Sequence, residues 1–196
     1  MNPSARQACT AESFESRYRR SPDPWHFSTS AYELARYQLT LAALPRDHYT
    51  RAFEPGCSIG ELTARLAPRC GHLLATDISP TSVDLARQRC ASFRNVHIVC
   101  ADVRDAVLQA QPDLIVLSEL AYYFDCDELT RLAARLGDTL CNGGTLIAVH
   151  WLGNSPDHVL HGDEVHEILQ RELPLHHVLS QRHDGFRLDR WAKKSR

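Results

Sequence analysis

The stretch Arg51-Ala52-Phe53-Glu54-Pro55-Gly56-Cys57-Ser58-Ile59-Gly60 decides the reading of this chain. It reads as a short strand, a glycine turn and a helix start. An acid closes the strand, and glycines follow it two and six residues later. An α/β sheet builds a cofactor pocket in this way, beyond the carboxyl end of its first strand. Gly56 supplies φ values that other residues reach only with strain. Gly60 leaves room at the helix start for a ligand or the sheet, and the open N–H groups there attract the negative end of a ligand. The dinucleotide pattern G-x-G-x-x-G is not met, because its second and third glycine positions, read from Gly56, hold Ser58 and Glu61. The second glycine of that pattern admits a pyrophosphate to the backbone. A serine there, with Glu54 at the entrance, fits a ligand that lacks a pyrophosphate and carries a cationic group.

Working outward, His72–Asp77 is an apolar run that ends in an acid 23 residues after Glu54. An acid at the end of the second strand is placed to accept from ribose hydroxyls. The third strand, Asn95–Cys100, runs into Asp102-Val103. There Asp102 could accept from an adenine amino group while the Val103 N–H donates to the ring. Asp113–Glu119 and Thr145–His150 read as the fourth and fifth strands, with helices near 59–67, 81–90 and 127–140. Strands alternating with helices argue for a parallel sheet covered by helices on both faces. The end differs: a helix at 162–172 precedes 176–182 and 186–191, which flank the hairpin signal His183-Asp184-Gly185. The expected fold is therefore α/β, a Rossmann-like seven-stranded, mostly parallel sheet with a C-terminal antiparallel hairpin. Residues 1–10 are expected to be disordered, 11–45 to form an N-terminal helical lid and 46–196 the core of a single domain. Ser30 with Glu33 makes a capping-box pattern for the second lid helix, and Pro45 ends it.

Composition narrows the class. The chain has 196 residues, 43% hydrophobic and 23% charged, ordinary for one globular domain. A formal net charge of −2 gives no electrostatic case for nucleic acid or an anionic membrane. Seven scattered cysteines without a C-x-x-C pair suggest reduced, buried thiols, and with no leader-like opening a cytoplasmic protein is expected. No apolar run approaches the length of a membrane span. His158, His161 and His166 invite a metal reading, but Pro156 and Gly162 break any continuous helix through them, so no metal is expected.

The pieces Glu54–Gly60, Asp77, Asp102-Val103 and Asp113–Glu119, in that order, resemble the class I S-adenosylmethionine-dependent methyltransferases. A closer resemblance lies outside the core. Ser21-Pro22-Asp23-Pro24-Trp25-His26-Phe27, Ser30–Tyr37, His150-Trp151-Leu152 and Leu160–His166 look like the nodulation protein S family. That resemblance implies an N-methyltransferase using S-adenosyl-L-methionine, with S-adenosyl-L-homocysteine as product. The acceptor it implies is the free amine of a deacetylated chitooligosaccharide, a precursor of rhizobial nodulation signals. It also implies that Glu54 and the loop Gly56, Cys57, Ser58 and Gly60 face the methionine, Asp77 with Ile78 the ribose, and Asp102 with Val103 the adenine. The backbone at Ser118 and Glu119 would lie near the transferred methyl. Trp25 and Arg36 belong to the lid, Arg36 reaching the methionine carboxylate through its two-pronged fork; alternatively Trp25 only docks a helix and Arg36 is a solvated charge.

The acceptor side has its own candidates. Glu119 and His150 are the groups expected to hold or deprotonate the amine. For His150 the competing reading is a hydrogen-bonded histidine at a strand end. Tyr122 and Tyr123 present aromatic faces suited to sugar rings, or else pack on the lid, and His161 and Asp163 are candidate contacts to a polyhydroxylated substrate. Another small-molecule N- or O-methyltransferase is the main alternative. A dinucleotide enzyme is disfavoured by Ser58 and Glu61, and a non-catalytic cofactor-binding protein is weakly motivated.

Overall fold

The computed structural model describes residues 9–106 and 110–195. Numbered in chain order, its seven strands lie third–second–first and fourth–fifth–seventh–sixth. The chain divides into two compact units: Ala11–Ala106, and residues 9–10 with 110–195.

The first unit holds α1 (Ala11–Arg20), α2 (Ala31–Ala42), β1 (Tyr49–Pro55), α3 (Glu61–Leu66), β2 (Cys70–Asp77), α4 (Pro80–Arg89) and β3 (Val96–Cys100). β1, β2 and β3 pair in parallel, with Phe53 opposite Leu74 and Leu74 opposite His97. Ser30 caps α2 by accepting from the Glu33 amide at 3.4 Å. Ser79 caps α4 in the same way, and Pro80 follows at the first helical position, where its missing N–H costs nothing. The core between α4 and the sheet is Cys57, Ala75, Val83, Ala86, Cys90 and Ile98.

The second unit holds β4 (Leu114–Ser118), a 3-10 turn (Ala121–Tyr123), α5 (Cys126–Thr139), β5 (Thr145–Trp151), α6 (Gly162–Glu172), β6 (His176–His183) and β7 (Phe186–Ala192). β4 and β5 are parallel, while β7 runs antiparallel to both β5 and β6. Leu114–Leu117 and Leu146–Val149 are fully buried, as continuous apolar runs in covered strands must be. Reciprocal capping boxes start α5, from Asp125 and Glu128, and α6, from His161 and Glu164. Asp184-Gly185 forms the two-residue hairpin loop, with Gly185 at φ +84°.

The expected elements are all present with boundaries moved by a few residues, and β1 starts earlier, at Tyr49. The cysteines differ from expectation. None of the seven is in a disulfide among the described residues, but only Cys57, Cys70 and Cys90 are buried, and Cys100 and Cys126 are exposed. The expectation of disorder over residues 1–10 falls mainly outside the described residues. Among those residues no helix is long and apolar enough to cross a membrane.

Candidate functional site

In the first unit the glycine loop is held from β2. The amides of Gly56 and Cys57 both donate to the Thr76 carbonyl, at 2.7 and 2.9 Å. Gly56 and Gly60 sit at φ +75° and +80°, and between them Ser58 takes φ +50°. The room at Gly60 is filled by protein: a Cβ there would lie 3.1 Å from Ala86 of α4. That glycine therefore lets α4 approach the loop, where room for a ligand or the sheet was expected. Glu61, where a dinucleotide fingerprint has glycine, is buried and ion-paired with Arg65 and Arg89.

Glu54 is 3% exposed, and its Oε2 has no hydrogen-bond partner among the described residues. Burial pushes its carboxyl up to about 8, with Thr63 pulling it back. An acid buried without a full set of donors is costly unless a ligand supplies one. A cationic ammonium such as that of S-adenosylmethionine fits this place. Asp77 is buried too and binds the loop: it accepts from the Ser58 amide at 2.9 Å, the Ser79 amide at 3.0 Å and the Ser82 hydroxyl at 2.7 Å. The Ile78 amide is a further donor, and a carboxylate has about four acceptor positions, so ribose hydroxyls would share them with the loop. Ile78, next along, is half-buried.

The N-terminal segment docks on this loop. The Tyr18 hydroxyl of α1 donates to Ser58 Oγ at 2.6 Å. Glu15 accepts from the Ser79 hydroxyl, the Thr81 amide and the Thr81 hydroxyl at 2.7–3.0 Å. The Ser79 bond leads the interactions that hold the Glu15 carboxyl down at about 2. Trp25 stacks on Phe27 and meets Tyr18 edge-on, so it packs α1 in place, the plainer of its two readings. Arg36 is not solvated: it is buried, pairs with Glu33 and lies over Tyr37. Asp102 also departs from expectation. Arg104 engages both of its carboxylate oxygens, at 2.5–3.0 Å, so an adenine amino group would have to share or displace that pair. Val103 beside it is buried.

In the second unit Ser118 ends β4, half-buried, and Glu119 turns the chain at φ +54°. The Glu119 carboxylate is a bridge: Oε2 accepts from the Tyr122 hydroxyl and Oε1 from the Trp151 amide, each at 2.7 Å. His150 is fully buried, and its Nε2 accepts from the Ala121 amide at 3.1 Å. A histidine whose lone pair is committed to a backbone amide cannot take a substrate proton there, so the general-base expectation is corrected to a structural role. His161 caps α6, accepting from the Asp163 amide and donating from Nε2 to the Leu152 carbonyl at 2.8 Å. Asp163 forms a two-pronged pair with Arg182 at 2.7 and 2.8 Å. That hydrogen bonding outweighs burial and holds the Asp163 carboxyl low. Both residues thus anchor a helix start, which corrects the expectation of sugar contacts. Among the described residues no group of three or more His, Cys, Asp or Glu is placed to hold a metal.

Two residues join the acceptor candidates. His158 stacks on Tyr122 with ring centres 3.7 Å apart, Tyr123 lies edge-on to both, and Trp151 lies edge-on to His158 at 6.0 Å. Burial lowers His158 to about 4, so it stacks as a neutral ring. Its sequence signal was weak, a histidine in a proline-bearing loop, and only the fold brings it onto Tyr122.

A model of the family described as nodulation protein S (NodS) matches residues 12–175. The chain belongs to the NodS family. Nodulation protein S of Sinorhizobium fredii is 36% identical over 104 residues, 53% of this chain and 48% of that protein. The chain spans less than two thirds of the length of each curated NodS relative it matches. N-methyltransferase NodS from Bradyrhizobium japonicum, solved with S-adenosyl-L-homocysteine, aligns with a TM-score of 0.80 at 23% identity, over 93% of this chain and 98% of its own. A Pseudomonas syringae protein assigned as a methyltransferase aligns at 0.73 with 39% identity, over 84% of this chain and all of its own. The NodS fold is thus the fold of this chain, a seven-stranded methyltransferase sheet ending in an antiparallel hairpin.

Proposed function

We propose that the protein is an S-adenosyl-L-methionine-dependent N-methyltransferase acting on the free amine of a deacetylated chitooligosaccharide in nodulation-signal synthesis. The observation that carries the cofactor half is the buried Glu54 with an unpartnered oxygen beside the glycine loop. The acceptor half rests on membership of the NodS family and on the aromatic wall of Tyr122, Tyr123, Trp151 and His158. Aromatic faces take the C–H side of sugar rings, and their polar edges take hydroxyls.

When bound, the cofactor supplies an activated methyl on a sulfonium with a good leaving group. The protein's task is then alignment and the exclusion of water. Glu54 would hold the methionine ammonium, the loop amides its surroundings, Asp77 the ribose and Val103 the adenine ring. Residues 11–45 would act as the lid, with Tyr18 and Glu15 securing it. The amine must attack as the free base. Glu119 is the carboxylate placed to orient it, at the left-handed turn that follows β4 and joined to Tyr122 of the aromatic wall.

Calorimetry with S-adenosylhomocysteine, followed by labelled S-adenosylmethionine and a deacetylated chitooligosaccharide, tests both halves. Micromolar binding with label in the oligosaccharide is the expected result. No binding would refute the reading of the glycine loop. Binding with transfer only to small amines would keep the methyltransferase and discard the sugar acceptor.

A further inference from the structure

Three side chains in the second unit, His150, His166 and Asp189, are each 0% exposed. They form one line. His150 Nδ1 lies 3.2 Å from His166 Nε2, and His166 Nδ1 lies 2.7 Å from Asp189 Oδ2. At the other end His150 Nε2 takes the Ala121 amide. A backbone amide can only donate, so His150 Nε2 carries no proton, and its hydrogen sits on Nδ1. That hydrogen points at His166 Nε2, which must accept, leaving the His166 hydrogen on Nδ1 for Asp189. Each link fixes the next, and only one arrangement of protons satisfies the whole line.

The charges around it agree. Burial lowers His166 and favours its neutral form. Burial pushes Asp189 up, but hydrogen bonds from His166 and Ser180 and the nearby Arg187 outweigh it and keep the carboxyl low. Arg187 Nε reaches Asp189 Oδ2 at 2.9 Å, and His177 Nε2 lies 3.6 Å from Oδ1. An anion at one end and neutral rings along the line therefore suit a buried place.

The line ends at Ala121, the first residue of the 3-10 turn that carries Tyr122 and Tyr123. β5 holds the region around that turn at three neighbouring points: the Val149 carbonyl on the Glu119 amide, His150 on the Ala121 amide, and the Trp151 amide on the Glu119 carboxylate. We propose that His166 and Asp189 are positioning residues, fixing through His150 the tautomer that grips the Ala121 amide and so aligning Glu119, Tyr122 and Tyr123 for the methyl acceptor. This rests on the reading that the turn takes the acceptor.

His166→Phe is the informative variant, since it keeps a ring but removes the acceptor of the His150 Nδ1 hydrogen; an Asn at 189 would keep its oxygen in place of Oδ2, where Arg187 Nε donates as well as His166. Without that acceptor the His150 proton is no longer held on Nδ1, and the Ala121 amide loses its fixed acceptor. Long-range proton–nitrogen spectra of labelled protein read the tautomers directly. Wild type should show the proton on Nδ1 in both rings, and in His166→Phe the His150 proton should be shared with Nε2. Acceptor kcat/KM should fall by about tenfold or more, the scale of a misplaced reacting group. The dissociation constant for S-adenosylhomocysteine should stay within about twofold, since a general loss of structure would move both (RT ln 2 is small).

An Nε2–H tautomer of His150 in wild type would overturn the proposal. So would unchanged acceptor kinetics in His166→Phe. If that variant does not fold, the wild-type tautomers and Asp189→Leu, read by acceptor kinetics against cofactor affinity, decide. Failure of wild type to methylate the oligosaccharide would strike the acceptor reading instead. The tautomers, with hydrogen exchange at the Ala121 amide in wild type and variant, would still decide the positioning.

Discussion

Glu54 carries the sharpest consequence at the scale of one residue. Its carboxyl, raised by burial to about 8, is protonated at neutral pH. An ammonium placed against it favours the anion, so cofactor binding near neutral pH must expel a proton. Calorimetry with S-adenosylhomocysteine in buffers of different ionisation enthalpy should show release of close to one proton, fading above about pH 9. In Glu54→Gln the release should vanish. Affinity should drop about tenfold or more, matching about 1.5–3 kcal/mol for a hydrogen bond to a charged group. Binding enthalpies that do not vary with buffer would refute the assignment of Glu54 to the ammonium. Asp77→Ala should also weaken binding by about tenfold, through lost ribose contacts and through the Ser58 amide it releases; unchanged affinity would remove Asp77 from the site.

Among the elements, α1 is the one whose attachment is open to test. It docks through Glu15 on the first turn of α4 and through Tyr18 on Ser58. Glu15→Ala should free the helix, and trypsin should then cut faster after Arg17, Arg19 and Arg20 at neutral pH, with bound S-adenosylhomocysteine restoring protection. Equal cleavage rates in wild type and variant would show that Glu15 does not hold α1. This attachment was half legible in the sequence. The helix, its stop at Ser21-Pro22 and the glycine loop follow from local pattern, because caps, prolines and apolar runs act over a few residues. Which side chains meet does not. Glu15 and Thr81 are 66 positions apart, and His166 and Asp189 are 23 apart. The same limit explains His161 and Asp163, polar residues whose partners at Leu152 and Arg182 come only with the fold. Ser58 shows a subtler case. The sequence reads it against a pyrophosphate, but its hydroxyl also anchors Tyr18 at a φ of +50° that glycine would adopt more easily.

For the whole molecule, the shifted groups set opposing slopes of stability against pH. Glu54 has a folded value above its ordinary value of 4.5, so its contribution is fully present below 4.5 and is lost as pH rises through about 8. His158 has a folded value below 6.5, so the folded state binds fewer protons than the unfolded chain, and stability falls as pH drops from 6.5 towards about 4. His166, also lowered by burial, acts in the same direction. Glu15 adds a loss beginning below 4.5 and running to about 2. Between 4.5 and 6.5 the raised acids Glu54 and Asp77 oppose the two histidines, and above 6.5 the acids act alone. The ligand-free protein should therefore lose stability on the alkaline side from 6.5 to about 8, while the histidines add an acid decline below 6.5. Urea unfolding across this range tests the account through two variants. Glu54→Gln should reduce the alkaline decline and, since its window opens at 4.5, steepen the acid one. His158→Phe keeps a ring against Tyr122, so it should flatten part of the acid decline between 6.5 and about 4 while leaving the alkaline side alone. If Glu54→Gln left the alkaline decline intact, or His158→Phe left the acid one intact, the pH dependence would come from groups other than these.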